Sequence, residues 1–242
     1  MKYAIIAAGE GSRLASEGIA APKPLVKVHG ECLIDRLVRV FASNAADEIF
    51  VICNEQATAV AQHLTQLETE GYEGKKLPLR HIVKSTPSSM HSFYELSRLV
   101  GEGSVVLTTV DTIFREQEFS AYVENFEKAL AQGYDCMMGV TDYIDDEKPL
   151  YVATDAADDI TGFYDKYEDG IRYISGGIYG LTAPCIRILE ECMQNGVSRM
   201  RNFQRALVAG GLKLKAYPFS KVLDVDHATD VEKAEQFLES GK

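Results

Sequence analysis

Positive charge is scarce in this sequence: 25 lysines and arginines stand against 36 aspartates and glutamates, giving a formal net charge of −11. A protein that binds the nucleic-acid backbone needs a basic face, and none is evident along this chain. We therefore expect no nucleic-acid partner. An acidic protein that handles phosphates must gather its few cations at one place or recruit a divalent metal ion.

Paired cysteines and long apolar runs are also absent. The five cysteines are dispersed without any Cys-x-x-Cys pair, which indicates reduced thiols that pack as small apolar side chains. No apolar run approaches the roughly 18 residues of a membrane-spanning helix, and no basic segment precedes an apolar one near the start. We expect a cytoplasmic protein without a membrane partner.

Alternating strand and helix patterns fill the first half of the chain. With 242 residues, 46% of them apolar, the sequence suits one α/β domain with a substantial core. Strands are predicted over 3–8, 48–53, 79–83, 104–110 and 134–140, and helices over 33–43, 57–67, 89–100 and 116–131. This alternation predicts a mostly parallel sheet with helices on both faces.

The second half has a different pattern. Short strands are predicted over 151–154, 160–164 and 172–180, and the acidic turns between them are typical of antiparallel hairpins. Helices are predicted over 184–194, 201–209 and 228–238, with strands over 212–217 and 222–225. Asp230 is expected to cap the last helix.

A glycine loop follows the first predicted strand. Gly9 and Gly11 let backbone N–H groups approach phosphate oxygens, and Arg13 and Lys23 add two cations. A Walker loop is excluded because its glycine–lysine run is missing. A dinucleotide fingerprint is excluded because Leu14 occupies the position of its third glycine. The loop is predicted to bind nucleotide phosphates, with an ordinary strand-to-loop turn as the alternative.

Three aspartates stand where a metal ion can be held. Asp111 follows the strand predicted over 104–110, at the carboxyl edge where open α/β sheets bind ligands. Alternation along the last predicted strand puts Asp224 and Asp226 on one side, so both can face one cation. Carboxylates suit Mg²⁺, although by position alone Asp111 is equally well explained as a helix cap or turn residue.

The glycine loop together with the run Pro22-Lys23-Pro24 resembles the signature of nucleotidyltransferases of the nucleoside-diphosphate-sugar pyrophosphorylase type. The resemblance implies a Rossmann-like three-layer α/β sandwich, the nucleotide-diphospho-sugar transferase fold. Its mixed, mostly parallel sheet would carry a small antiparallel β element in the second half. It further implies one domain over 1–242, with a nucleotide-binding half (1–115) and an acceptor-binding half (116–242).

The resemblance also assigns roles to individual residues. Arg13, Lys23 and Asp111 would carry catalysis, and Asp111 and Asp226 would bind Mg²⁺, with Asp224 as the second choice. The nucleotide would contact Ala8, Gly9, Gly11, Ser12, Arg13, Ser88 and Ser92, and the acceptor would contact Lys166, Ser175 and Gly177. Asp165 and Ser175 stand where the family has glutamate and asparagine. Hairpin residues without a ligand are the alternative for Lys166 and Ser175.

The implied reaction transfers NMP from an NTP to a sugar 1-phosphate and releases pyrophosphate. Two other acceptors stay open: a phosphoalcohol such as phosphocholine, used by a cytidylyltransferase, and a molybdenum-cofactor precursor. A catalytically silent regulatory protein that binds nucleotide sugars is a further hypothesis. A glycosyltransferase with Asp224-Val225-Asp226 as its metal motif is disfavoured, because that motif normally follows a mid-chain strand.

Overall fold

Strands and helices alternate through most of the chain. The computed structural model describes residues 1–240, so the end of the predicted domain, 241–242, lies outside the described residues. The strands are β1 (Lys2–Ala7), β2 (Lys27–Val28), β3 (Glu31–Cys32), β4 (Glu48–Cys53), β5 (Leu79–Val83), β6 (Val105–Thr109), β7 (Thr112–Ile113), β8 (Cys136–Thr141), β9 (Tyr151–Thr154), β10 (Ile160–Tyr164), β11 (Tyr173–Leu181), β12 (Leu214–Pro218) and β13 (Leu223–Asp224). The α-helices are α1 (Ser12–Ser16), α2 (Leu33–Ser43), α3 (Thr58–Glu70), α4 (Ser89–Val100), α5 (Glu116–Ala131), α6 (Ala183–Gln194), α7 (Met200–Ala209) and α8 (Ala228–Glu239), and a 3-10 turn covers Lys23–Leu25.

A nine-stranded sheet forms the centre of the fold. Strands β6, β1, β4 and β5 pair side by side in parallel, and β12 runs parallel to β8. Strand β11 lies between the two groups and is antiparallel to both β6 and β8. The mostly parallel sheet predicted from the alternation is confirmed, with β11 reversed inside the row β12-β8-β11-β6-β1-β4-β5.

Alternate residues of β1 point into two separate apolar cores, because successive side chains of a strand face opposite sides of the sheet. Tyr3 and Ile5 pack into the core covered by α2, α3, α5 and α8. Ala4 and Ile6 pack into the core covered by α4, α6 and α7. The three-layer sandwich implied by the resemblance is therefore confirmed.

The small antiparallel element of the second half is the hairpin of β9 and β10, which pairs with the first residues of β11. The third strand expected there, over 172–180, is β11, which also pairs with β6 and β8 inside the nine-stranded sheet. A bulge between Ser175 and Ile178 interrupts its pairing with β8. Gly177 takes φ +70° in this bulge, a conformation that favours glycine. Because of the bulge, β11 passes from β9 at its start to β6 at its end.

The apolar residues of the helices and strands pack into the two cores. No helix within residues 1–240 is both long and apolar enough to cross a bilayer. All five cysteines are free thiols; Cys53, Cys136, Cys185 and Cys192 are buried, and Cys32 is partly buried. They pack as the small apolar side chains that their dispersal predicts.

Candidate active site

The parallel strands β1, β4 and β6 end at one edge of the sheet, beside a cavity of about 520 Å³ that we call the glycine-loop cavity. Each residue predicted to contact the nucleotide lines it: Ala8, Gly9, Gly11, Ser12, Arg13, Ser88 and Ser92. Lys23, Asp111 and Asp226 line it as well. The structure thus brings together the glycine loop and both predicted metal ligands.

Several lining residues were missed by the sequence reasoning. The Asn54 amide donates to the Ala8 carbonyl at 3.3 Å, and its side-chain oxygen accepts hydrogen bonds from the Ser85 hydroxyl at 3.0 Å and from the Gln56 backbone N–H at 2.8 Å. Asn54 therefore ties the ends of β1, β4 and β5 together. Asn54 directly follows β4, just as Ala8 directly follows β1. This position at the carboxyl end of a parallel strand could have identified Asn54 from the sequence.

Gly11 brings the glycine loop into contact with Lys23. It has φ +62° and precedes α1 directly. A Cβ added at Gly11 would lie 3.0 Å from the Cβ of Lys23, which is tighter than ordinary packing allows. A side chain at Gly11 would thus be strained and would also displace Lys23.

Gly11→Ala is therefore expected to lower both stability and turnover. Its left-handed φ costs about 1 kcal/mol of unfolding free energy in alanine, and the shift of Lys23 reduces the rate further. Gly18→Ala is the matched control, because Gly18 has φ +90° but no atom within 4 Å of the added Cβ. Urea unfolding and initial rates measure both variants. Equal loss of turnover in the two would show that the contact with Lys23 is unimportant.

The ammonium group of Lys23 lies between two carboxylates. It donates to Asp111 Oδ2 and, at 2.6 Å, to Asp226 Oδ1, while Arg13 Nη1 donates to Asp226 Oδ2 at 2.9 Å. Lys23 is only 9% exposed. Burial disfavours its charge, but the ion pairs with Asp111 and Asp226 outweigh that effect and raise the pKa of Lys23. Burial likewise opposes ionisation of Asp226, yet Lys23 and Arg13 lower its pKa.

Two very short strands bring these residues together. The two-residue strands β7 and β13 pair antiparallel, with Asp224 opposite Thr112. Beyond them, the backbone N–H of Val225 donates to the carbonyl of Asp111 at 3.1 Å. Asp226 follows directly, and its backbone N–H donates to Asp230 Oδ2 at 3.1 Å. Asp111 and Asp226 therefore face the same lysine although they come from distant parts of the chain.

Asp230 also caps α8, as expected. Its carboxylate accepts a hydrogen bond from the backbone N–H of His227 at 2.8 Å, so the same side chain fixes the first turn of the helix and the residue before it. Glu17 at the end of α1 binds there too, through His227 Nδ1 at 2.6 Å and the Ala228 N–H at 2.7 Å. The sequence reasoning missed Glu17, which ties the end of α1, just after the glycine loop, to α8.

The carboxylates fit a divalent cation. Asp111 Oδ1 is buried without a hydrogen-bond partner, so it is available to a metal ion. Asp224 is exposed on one side, yet partial burial against the surrounding protein disfavours its charge. Together with the negative charges of Asp111 and Asp226, this burial raises the pKa of Asp224 to about 8. Within residues 1–240, no group of three or more His, Cys, Asp or Glu side chains forms a ready metal cage. Two carboxylates completed by phosphate and water oxygens are typical of Mg²⁺.

A second cavity of about 350 Å³ adjoins the first and shares Arg13 and Asp226 with it. Ser175 and Asp224 line this second cavity. Gly177 does not: an added Cβ there would lie 3.3 Å from Thr112 Oγ1, so it faces the β7 strand. Gly177 contributes to the shape of the β11 bulge, and its contact with the acceptor stays a prediction.

Lys166, which the resemblance assigns to the acceptor, does not line the second cavity. It is exposed and lines a neighbouring shallow cavity with Tyr167 and Arg201. The preceding Asp165 pairs with Arg201 at 2.5 Å and Arg205 at 2.8 Å. Strand β10 is the outermost strand at this side of the sheet, and Lys166 follows it closely.

Family comparison agrees with this geometry. A family model described as nucleotidyl transferase matches residues 2–241, nearly the whole chain. The chain belongs to the nucleotidyl transferase family. Within this family member, the match covers the glycine loop, Lys23, Asp111 and Asp226 together.

Individual relatives of this nucleotidyl transferase are distant. The bifunctional protein GlmU of Alkaliphilus metalliredigens (strain QYMF) is 24% identical over 233 residues, which are 93% of this chain and 48% of that protein. The chain thus spans about half the length of that relative. A putative glucose-1-phosphate thymidylyltransferase of Bacillus anthracis has the same fold, with a TM-score of 0.82 at 18% identity and coverage of 98% and 95%. The inositol-1-phosphate CTP transferase of T. maritima has a TM-score of 0.75 at 18% identity, with coverage of 99% and 96%.

Proposed function

We propose that this protein transfers the NMP group of an NTP to the phosphate of a sugar 1-phosphate, yielding an NDP-sugar and pyrophosphate. The observation that carries the proposal is the junction of the two cavities. Arg13 and Asp226 line both, and Lys23 and Asp111 lie beside them. An NTP in the glycine-loop cavity and an acceptor in the second cavity would place their reacting phosphates at this junction.

The proposed reaction is an in-line displacement. An oxygen of the acceptor phosphate forms a bond to the α-phosphorus of the NTP. The bond from that phosphorus to the oxygen leading to the β-phosphate breaks, and pyrophosphate leaves with the electron pair. A phosphate monoester has a second pKa of about 6, so at neutral pH the nucleophile is mostly ionised and needs no general base. Catalysis then depends on positioning and charge neutralisation.

The residues of the chain have distinct parts in this scheme. The backbone N–H groups of the glycine loop would bind phosphate oxygens, and the half-exposed Arg13 would neutralise the leaving pyrophosphate. Lys23 would neutralise the transferring phosphate. Asp111 and Asp226 would hold Mg²⁺, which supplies Lewis-acid stabilisation of charge on phosphoryl oxygens. Asn54 and Glu17 would keep the two sides of the junction in place.

A zwitterionic phosphoalcohol such as phosphocholine is a second candidate acceptor, supported by the charge of the second cavity. Six carboxylates line it, from Asp145, Asp146, Glu147, Asp224, Asp226 and Asp230. Only Arg13, Lys148 and Lys233 bring a permanent positive charge, while His227 also lines the cavity and the raised pKa of Asp224 leaves that one side chain mostly neutral at pH 7. This excess of negative charge is better matched by an acceptor that carries a positive group beside its phosphate than by a neutral sugar.

The test incubates the protein and Mg²⁺ with each NTP and a panel of sugar 1-phosphates, phosphocholine and a molybdenum-cofactor precursor, and measures pyrophosphate release. We expect release with one NTP and a sugar 1-phosphate. Preference for phosphocholine would favour the second candidate. Nucleotide-sugar binding without pyrophosphate release from any pair would identify a catalytically silent binding protein and reject the proposed activity.

A further inference from the structure

Helix α2 carries a buried positive charge without an ion-pair partner. Arg36 is only 3% exposed, and within residues 1–240 no carboxylate lies within ion-pair distance of its guanidinium group. Burial lowers the pKa of Arg36 to about 10, so the side chain is still charged at neutral pH. Burying a cation is costly, so the group that binds Arg36 has to offset that cost.

The backbone carbonyl of Phe114 is that group. Arg36 Nη2 donates to it at 2.5 Å, and the guanidinium carbon lies 5.1 Å from the centroid of the Phe114 ring. Arg36 Nη1 is buried and, in the described part of the chain, has no hydrogen-bond partner. Phe114 follows β7 directly, and β7 pairs with β13. Arg36 therefore holds the chain just beyond β7 against α2.

A second arginine of α2 binds the next part of this segment. Arg39, one turn further along, donates to both carboxylate oxygens of Glu116 at 2.8 and 2.9 Å and to both of Glu31 at 2.7 and 2.9 Å. Such bidentate pairs fix the orientation of both partners. Glu116 begins α5, and Glu31 begins β3. Arg36 and Arg39, which we call the arginine clamp, thus bind Phe114 and Glu116 to α2.

The start of α2 is joined to the turn that carries Lys23. The N–H of Leu33 donates to the Val26 carbonyl at 2.9 Å, and the N–H of Val26 donates to the Lys23 carbonyl at 3.1 Å. On the side of the clamp, Asp111 lies shortly before Phe114, with β7 between them. Helix α2 therefore connects the backbone that carries Lys23 with the backbone that carries Asp111.

We propose that Arg36 is a positioning residue that sets the place of Asp111 opposite Lys23. It acts through the Phe114 carbonyl and β7, and Arg39 holds the start of α5 in line with them. The inference rests on the proposed function for the role of Asp111 as a metal ligand. Because Mg²⁺ needs near-ideal octahedral geometry, a small shift of Asp111 weakens the metal site as well as turnover.

The test compares Arg36→Met, which keeps the bulk but removes the charge and the donors, with Arg36→Lys, which keeps a charged donor. Initial rates with the NTP and acceptor found by the panel should show kcat lowered by about tenfold or more in Arg36→Met. The acceptor KM should stay within about twofold, because no residue of 111–116 lines the second cavity. The Mg²⁺ concentration that gives half of the thermal stabilisation should rise by about tenfold, and Arg36→Lys should recover most of both effects.

Hydrogen exchange read by mass spectrometry tests the position of Asp111 without metal or turnover. The N–H of Val225 donates to the Asp111 carbonyl, so peptides covering 222–226 should exchange faster by about fivefold or more in Arg36→Met. Val38→Ala is the control, because it leaves a cavity at a buried position of the same helix and keeps the clamp intact. It should lower the melting temperature, while kcat, the Mg²⁺ midpoint and this exchange stay within about twofold of the wild type.

An unchanged kcat and unchanged exchange in Arg36→Met overturn the inference, as do changes of the same size in Val38→Ala or in Arg36→Lys. If Arg36→Met does not fold, Arg39→Met at a partly exposed position takes its place. It should shift the same measurements in the same direction by about threefold, and no shift overturns the inference. If the wild-type protein releases no pyrophosphate, the proposed activity is rejected, while faster exchange over 222–226 in Arg36→Met still supports the inference.

Discussion

Asp111→Asn is expected to lower turnover by at least about 10²-fold while the fold persists. Asparagine keeps the shape of the side chain but removes the negative charge. Asp111 Oδ1, buried and without a partner, then no longer offers a carboxylate oxygen to Mg²⁺. Lys23 keeps its contact with Asp226 at 2.6 Å, so the local packing survives. Pyrophosphate release across a Mg²⁺ titration, together with thermal unfolding, measures the two effects.

The control for this variant is Asp169→Asn, which makes the same chemical change in an exposed turn. Asp226→Asn is expected to resemble Asp111→Asn, and Asp224→Asn to retain more activity, because Asp226 is the carboxylate that shares Lys23 with Asp111. A rate near that of the wild type in Asp111→Asn would remove Asp111 from the metal site. If Asp224→Asn loses more activity than Asp226→Asn, Asp224 rather than Asp226 is the second metal ligand.

Lys23→Met is expected to lower turnover by about 10²- to 10³-fold, because it removes a preorganised cation from the transferring phosphate. A lysine in a loop contributes little to stability, but Lys23 is nearly buried between two carboxylates. Methionine leaves Asp111 and Asp226 facing each other without that cation. We expect a loss of about 1–3 kcal/mol of unfolding free energy, moderated because Asp226 is partly open to solvent.

Urea unfolding with and without Mg²⁺ tests whether Asp111 and Asp226 share a cation site. A divalent cation can occupy the position that the ammonium group leaves, so Mg²⁺ should stabilise Lys23→Met more than the wild-type protein. Lys27→Met, at an exposed position of β2 near by in sequence, is the matched control and should respond to Mg²⁺ as the wild type does. If Mg²⁺ stabilises Lys23→Met no more than the wild type, the two carboxylates do not share a cation site.

Much of the fold could be predicted from local pattern. Helices α2, α4 and α5 and strands β4, β5, β9 and β10 have the predicted bounds, because their apolar periodicity is strong and their ends coincide with turn residues. Strands β6 and β8 differ from prediction by one or two residues at their ends. Strand β11 was expected only in an antiparallel hairpin, and its further pairing with β6 and β8 was not predicted, because local pattern does not reveal the bulge that allows both sets of partners.

Only part of the candidate site could be predicted from the sequence. The glycine loop, Lys23, Asp111 and Asp226 carry a recognisable motif, and the structure places them together. Asn54 and Glu17 carry no motif, because each acts through contacts with segments distant in the chain. The position of Lys166 beside a neighbouring cavity was not foreseen for the same reason, because residue type and spacing do not reveal that β10 lies at the margin of the sheet.

The sequence by itself determined the family, the α/β class and the glycine loop with its two cations, because these depend on residues close together in the chain. Only the tertiary structure decided that Lys23 lies between Asp111 and Asp226, 88 and 203 residues away. The pairing of β7 with β13 makes this possible, and two-residue strands leave no periodic pattern to detect. Their pairing depends on how the sheet and α8 position the two segments, which is a property of the packed chain.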